Sequence, residues 1–120
     1  MINGSALPTL SRIQKRFMDE ILSTLEKILE QRKSASADSS YVSFLYSQGT
    51  DKILDKISEE SAEVIKAAQD EGNDKIIHEV ADLWFHTLVL LRHKNISIKE
   101  IETELIRRFG ISGHTEKAVR

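Results

Sequence analysis

Residues 56 to 68, KISEESAEVIKAA, decide the fold because they combine an amphipathic helical pattern with three glutamates. At about 100° per residue, the apolar side chains of this stretch share one face of an α-helix. Glu59, Glu60 and Glu63 fall beside that face. Acids beside an apolar stripe are also normal on a solvated helix surface. The stretch therefore predicts a helix, and it leaves open whether the acids bind a metal or simply face water.

A second helix is predicted by HEVADLWFHTLVLL, residues 78 to 91, which is apolar around most of its circumference. The polar residues that remain fall on one narrow stripe: Glu79, Asp82, His86 and His93. Only a short turn at Gly72 and Asn73 separates the two helices, so we expect them to lie antiparallel and to bring their acids together. Alternatively, the stripe is the one solvated side of this helix, and His86 is a hydrogen-bonded core histidine.

Helical periodicity continues over nearly the whole chain, which contains one proline and five glycines. The pattern predicts an all-α, four-helix, bundle-like fold in a single domain. Residues 41 to 49 are ambiguous between a short helical turn and an ordered loop, and Ser97 with Glu100 predicts a capping box. The expected segments are a tail (1–8), a long first helix (9–33), a loop region (34–50), two metal-binding helices (51–71 and 74–94), a last helix (97–109) and a C-terminal tail (110–120).

Composition narrows the class of protein. Of 120 residues, 40% are hydrophobic and 30% are charged, which is typical of a globular domain. The longest apolar run, Leu88 to Leu91, is far shorter than the roughly 20 residues that span a bilayer, and the first ten residues do not read as a secretory signal. A formal net charge of −2 gives no general attraction to nucleic acid or membrane. We therefore expect a cytoplasmic protein that binds neither.

The absence of cysteine restricts any metal site to oxygen or imidazole ligands. Several carboxylates in one cleft repel one another unless cations hold them, and oxygen ligands suit Mg²⁺, or alternatively Mn²⁺. Mg²⁺ commonly shares its ligands with substrate phosphates, so the pattern points to a polyphosphate substrate. The Glu-x-x-His pairs of di-iron bundles and the Gly-x-x-x-x-Gly-Lys phosphate loop are both absent.

The spacing Glu-Glu-x-x-Glu followed by Glu-x-x-Asp is similar to that of the all-α nucleotide pyrophosphohydrolases. Together with KILDKISEESAEVIKAA, HEVADLWFHTLVLL, SYVSFLYSQG and the tail RFGISGHTEKAVR, it resembles the phosphoribosyl-ATP pyrophosphatase family from about Leu25 to Arg120. The resemblance implies a hydrolase that converts phosphoribosyl-ATP to phosphoribosyl-AMP and pyrophosphate, the second step of histidine biosynthesis. It also implies that metal ions assist this hydrolysis.

The resemblance assigns roles to the acids at matching positions. The implied metal ligands are Glu59, Glu60, Glu63, Glu79 and Asp82. One of the glutamates is expected to act as general base, and the candidates are Glu60 and Glu63. The number of metal ions and the phosphorus that is attacked stay open.

Four other residues are expected near the substrate. Lys52 and Lys56 lie on the same arc of the helix as the glutamates and are expected to neutralise phosphate oxygens, or else to balance those glutamates in solvent. His86 is expected to support the site rather than to transfer a proton. Tyr41 is expected to stack on a base or to hydrogen-bond to ribose, or else to pack against the bundle.

The apolar character of residues 78 to 91 also predicts a homodimer. A monomer would expose a larger apolar patch than soluble monomers usually carry, so we expect a second copy to cover Trp84, Leu88 and Leu91. Two alternative functions stay open at this stage. One is a house-cleaning nucleoside triphosphate pyrophosphohydrolase of the same superfamily, and the other is a non-catalytic helical interaction module.

Overall fold

The computed structural model describes residues 20 to 110, and this part of the chain forms five α-helices and no β-strand. The helices are α1 (Ile21–Gln31), α2 (Tyr41–Gln48), α3 (Thr50–Asp70), α4 (Asn73–His93) and α5 (Ile98–Leu105). A 3₁₀ turn (Arg32–Ser34) follows α1, and a π-helical turn (Ile106–Gly110) follows α5. The predicted all-α class is confirmed. None of the described helices combines the length and apolar character needed to cross a membrane.

The two acid-bearing helices, α3 and α4, form an antiparallel hairpin that is the largest helix pairing in the described part of the chain. Gly72 has a φ of 90°, a left-handed conformation that glycine adopts without a Cβ clash, and it lets the chain reverse within two residues. At the other end of the hairpin, the Thr50 hydroxyl lies 3.1 Å from His93 Nε2. The first residue of α3 therefore meets the last residue of α4, as an antiparallel pair requires.

The core lies where four helices meet. Its largest fully buried side chains come one from each of the first four helices and are Leu29, Leu45, Ile53 and Val89. Burial of an aliphatic side chain contributes roughly 1.5–3 kcal/mol, so this layer holds α1 and α2 against the hairpin.

Within the predicted loop region at 34–50, residues 41 to 49 were open between a helical turn and an ordered loop, and residues 41 to 48 form the helix α2. Ser40 caps this helix, because its hydroxyl accepts a hydrogen bond from the Ser43 N–H at 3.1 Å. Leu45 is fully buried, and the Tyr46 hydroxyl donates to the Leu29 carbonyl at 3.0 Å. Tertiary contacts thus stabilise a helix whose own sequence pattern is weak, and they raise the helix count in the described residues from four to five.

The predicted first helix lies only partly within the described residues, and the predicted last helix is shorter than expected. The described part of the predicted first helix is α1 and the turn after it, and positions 1–19 and 111–120 lie outside the described residues. The predicted last helix ends at Leu105 and continues as the π-helical turn. Its predicted capping box is confirmed, with Ser97 N–H donating to Glu100 Oε2 at 2.9 Å and Ser97 Oγ accepting from Glu100 N–H at 3.4 Å.

Candidate functional site

One turn of α4 brings together the acids predicted on that helix. Glu79 is only 5% exposed, and Asp82 lies one turn further along the same face. One ligand atom each from His78, Glu79 and Asp82 lie within 4.8 Å of one another, with His78 Nε2 at 3.4 Å from Asp82 Oδ2. Lys75 Nζ lies 3.4 Å from Glu79 Oε2. This turn of α4 therefore offers two carboxylates and one imidazole to a shared point.

Glu60 on α3 faces this turn of α4. Its Oε1 atom is buried and has no hydrogen-bond partner among the described residues. Burial, together with the negative charges of Asp82 and Glu79, raises the pKa of Glu60 above its usual value, and His86 and Lys56 oppose this shift. A buried carboxylate oxygen without a donor is costly, so Glu60 is a side chain that a cation at this position would stabilise.

The other predicted residues of α3 are arranged differently. Lys56 Nζ lies 3.1 Å from Glu59 Oε1, and this hydrogen bond raises the pKa of Lys56, which keeps its ammonium group charged. Glu59 and Glu63 are exposed, and Lys52 is half-buried. Within residues 20 to 110, the side chains of Glu63 and Lys52 form no ion pair or hydrogen bond. The structure therefore buries an oxygen of Glu60 beside the α4 acids, whereas Glu63 is exposed.

Tyr41, the first residue of α2, joins the site through His86. The Tyr41 hydroxyl lies 2.8 Å from His86 Nε2, and His86 Nδ1 lies 2.8 Å from the Asp82 carbonyl oxygen. His86 is 5% exposed, whereas Tyr41 is 47% exposed. Burial raises the pKa of Tyr41, as do the charges of the nearby Glu60, Glu59 and Asp82. Tyr41 is therefore a neutral phenol at the edge of the acid group.

Sequence reasoning missed His78 and the pairing of Tyr41 with His86. The signal for His78 was its spacing of four residues from Asp82, which places both on one helix face. No local spacing could reveal the second pairing, because Tyr41 and His86 are 45 residues apart and meet only through the packing of α2 on the hairpin.

Comparison with known proteins identifies the family. The family model of phosphoribosyl-ATP pyrophosphohydrolase matches residues 22–109. A phosphoribosyl-ATP pyrophosphatase of Vesicomyosocius okutanii is 71% identical over 103 residues, which are 86% of this chain and 98% of that protein. The protein of the same name from Ruthia magnifica is 67% identical over 103 residues, with the same coverage of 86% and 98%.

A more distant relative shows the same relationship. The phosphoribosyl-ATP pyrophosphatase of Hydrogenovibrio crunogenus is 52% identical over 106 residues, covering 85% of this chain and 94% of that protein. The matched segment contains α2, the α3–α4 hairpin and every predicted site residue. The chain therefore belongs to the phosphoribosyl-ATP pyrophosphohydrolase family.

Proposed function

We propose that this chain hydrolyses phosphoribosyl-ATP to phosphoribosyl-AMP and pyrophosphate, with Mg²⁺ or Mn²⁺, as the second step of histidine biosynthesis. Membership of the family and the names of the relatives support the substrate. The observation that carries the proposal is the buried, unpartnered Glu60 oxygen facing Glu79 and Asp82 across the α3–α4 hairpin. Hydrolysis breaks the anhydride bond between the α- and β-phosphates, and one water molecule supplies the hydroxyl group and the proton.

The acid group fits a magnesium or manganese ion. Carboxylate oxygens are the preferred ligands of these ions. Burial raises the pKa of Glu60 most, and the negative charges of Asp82 and Glu79, which a cation would offset, raise it further. Glu60, Glu79 and Asp82 would hold the ion, and His78 would favour Mn²⁺ because imidazole suits the softer metal. Glu59 and Glu63 are the further predicted ligands. When bound, the ion would neutralise phosphate charge and acidify a water molecule.

The chain's own residues supply the remaining tasks. Lys56, held by Glu59 and fully charged, would bind phosphate oxygens, with Lys52 one turn earlier on the same helix. Glu60 is favoured over Glu63 as general base because its Oε1 atom is buried against α4, whereas Glu63 is exposed.

We also propose a cytoplasmic homodimer. An open apolar groove of about 450 Å³ runs along α4 between α1 and α5, and Trp84 on its wall is 60% exposed. Leu88 is buried within the single chain and Leu91 is half-buried, so the surface available to a second copy centres on Trp84. An exposed tryptophan on an apolar groove is typical of protein interfaces.

A substrate panel with product analysis tests the reaction. Purified protein is incubated with phosphoribosyl-ATP, ATP, dUTP or dCTP, and pyrophosphate and the nucleotide products are measured. We expect kcat/KM for phosphoribosyl-ATP to exceed that for each free nucleotide by at least a hundredfold. Comparable turnover of dUTP or dCTP would instead support a house-cleaning enzyme, and absence of turnover of all four would reject an enzymatic role.

Metal dependence is tested separately. We expect EDTA to abolish turnover and Mg²⁺ or Mn²⁺ to restore it, and full activity after removal of metal would reject the metal site. Calorimetric titration of the free protein with Mn²⁺ gives a second readout that does not need turnover. Asp82→Asn should lose the heat of binding, whereas Asp38→Asn, a change of the same kind in an exposed loop, should keep it.

A further inference from the structure

The contact between Tyr41 and His86 fixes the position of one proton. His86 Nδ1 lies 2.8 Å from the Asp82 carbonyl oxygen, and a carbonyl oxygen only accepts hydrogen bonds. In the neutral form of His86, Nδ1 therefore carries the proton and Nε2 carries a lone pair. In that form the Tyr41 hydroxyl, 2.8 Å from Nε2, donates its proton to His86.

This assignment limits what Tyr41 can offer a substrate. While its only proton is donated to neutral His86, the phenol oxygen can accept a hydrogen bond but cannot donate one to a phosphate oxygen. The ring itself is available, because Tyr41 is 47% exposed while its partner His86 is almost fully buried. Aromatic faces stack on nucleobases without needing a hydrogen-bond donor.

Tyr41 lies beside the residues proposed to bind the phosphates and the metal. It opens α2, and the charges of Lys56, Glu60, Glu59 and Asp82 act on its hydroxyl. These are the proposed phosphate-binding and metal-binding residues. A nucleotide whose phosphates reach that group would carry its base to the rim of the site, where the exposed ring of Tyr41 lies.

We propose, resting on the function given above, that Tyr41 binds the adenine ring of the substrate by stacking and that His86 is the positioning residue that orients Tyr41 for this contact. His86 does not touch the substrate. Its two hydrogen bonds tie the start of α2 to the backbone of α4, so the tyrosine ring is held at a fixed distance from the acids.

The hydrogen-bond assignment is tested without turnover. Long-range ¹H–¹⁵N NMR at pH 8 distinguishes the two neutral imidazole tautomers of His86. We expect the proton on Nδ1, and we expect Tyr41→Phe to shift the Nε2 resonance because it removes the donor. A proton on Nε2, or an Nε2 resonance unaffected by Tyr41→Phe, would overturn the proposal.

Kinetics with phosphoribosyl-ATP test the role of the ring. Tyr41→Phe keeps the ring but loses its hydrogen bond, so we expect KM to rise roughly threefold. Tyr41→Leu loses the ring as well, and we expect a further rise in KM of about tenfold or more, the scale of base stacking. In both variants kcat should change less than KM. Equal effects of the two substitutions, or a loss mainly in kcat, would show that the hydroxyl rather than the ring serves the substrate.

A double-mutant cycle tests whether His86 acts through Tyr41. His86→Leu should raise KM as Tyr41→Phe does, and the double variant should be no worse than either single one. His86→Gln should be milder than His86→Leu if its amide oxygen accepts the Tyr41 proton. Additive effects of Tyr41→Phe and His86→Leu on KM would overturn the positioning role.

A matched control separates this role from general stability. Tyr46 lies on the same helix, and its hydroxyl also makes one hydrogen bond, to the Leu29 carbonyl oxygen. Tyr46→Phe should lower the melting temperature but leave KM unchanged. A rise in KM as large as that of Tyr41→Phe would mean that any loosening of α2 weakens binding, which would refute the proposal. If the parent protein does not hydrolyse phosphoribosyl-ATP, the proposed function itself fails, and the adenine contact fails with it.

Discussion

Glu60 links stability to pH in the metal-free protein. Its pKa is raised, mainly by burial and then by Asp82 and Glu79, so the folded state binds its proton more tightly than the unfolded state does. The folded protein must therefore lose stability as the pH rises from the ordinary value of 4.5 through the raised pKa. Above that pKa, the full cost of an ionised and crowded Glu60 is present.

We predict that Glu60→Gln raises the melting temperature of the metal-free protein at pH 7 and leaves it unchanged at pH 4. The amide keeps the size of the side chain but removes the charge that is penalised. Melting curves in EDTA from pH 4 to pH 8 measure the difference between parent and variant. A lower melting temperature at pH 7 would show that the Glu60 carboxylate forms a stabilising structural contact.

Glu59→Gln is the matched control, because it changes the neighbouring residue on the same helix. Glu59 is exposed and paired with Lys56, so the variant loses only a surface ion pair and should gain no stability at pH 7. We also expect a large effect of Glu60→Gln on turnover. Glu60→Gln should reduce kcat by a hundredfold or more, the scale of losing a main electrostatic contributor to catalysis.

Not every residue of the candidate site could be predicted from the sequence. The spacing of Glu60, Glu79 and Asp82 placed three acids on facing sides of a helical hairpin, and the structure brings these three close. The spacing could not rank them, because helical periodicity gives an angle around the axis but not burial. Glu60 and Glu63 therefore both stayed candidates for the general base, although of these two only Glu60 has a buried oxygen atom.

Among the helices, α5 shows how strongly a local signal can fix a boundary. Ser97 and Glu100 satisfy one another's backbone N–H groups, and Glu26 on α1 accepts a hydrogen bond from the Ile98 N–H at 2.8 Å. Helix α5 is thus fixed both by its own cap and by α1. Because the cap needs only residues three apart, it was visible in the sequence.

We predict that Ser97→Ala destabilises the fold by about 1 kcal/mol, the usual cost of removing a serine cap. For a domain of this size the melting temperature should fall by about 4 °C. Ser58→Ala, an exposed change inside α3, should be neutral or slightly stabilising because alanine is the better helix former. An equal loss in both variants would mean that Ser97 contributes no more than any other serine.

Unlike α5, helix α2 has no strong local signal in the sequence. Its eight residues carry only a weak amphipathic pattern, and short helices are marginal on their own in water. The structure supplies what the sequence does not, namely burial of Leu45 and the hydrogen bonds of Tyr41 and Tyr46 to other helices. Its helical state depends on partners far away in the sequence, and for that reason local reasoning left residues 41 to 49 undecided.

The whole fold also combines features that follow from local sequence signals with features that depend on contacts between distant residues. The all-α class and the α3–α4 hairpin follow from long periodic segments and a short connection, both of which are local. The way α1, α2 and α5 pack on the hairpin depends on long-range contacts. One such contact set is centred on Arg92, whose guanidinium binds Glu30 on α1 at 2.8 Å and the Ile96 carbonyl oxygen at 2.8 Å.

The apolar groove along α4 is the surface on which the proposed dimer depends. Its walls come from α1, α4 and α5, and several of its residues are large and exposed, including Trp84, Ile101 and Leu105. Burying such a surface is favourable at about 25 cal/mol for each Å². The acids of the candidate site lie on the part of α4 that faces α3, whereas Trp84 belongs to the groove between α1 and α5. Loss of the proposed dimer can therefore be distinguished from loss of the proposed metal ligands.

We predict that light scattering gives a molar mass of twice the chain mass of 13.6 kDa. Trp84→Glu should lower the measured mass toward that of the monomer. A charge in the centre of an apolar interface is strongly unfavourable because it must be desolvated without a partner. Ile65→Glu is the matched control, since Ile65 is 59% exposed on α3 and does not line the groove. A monomeric parent protein would refute the proposed dimer. A dimer that persists in Trp84→Glu and is lost in Ile65→Glu would place the interface elsewhere on the surface.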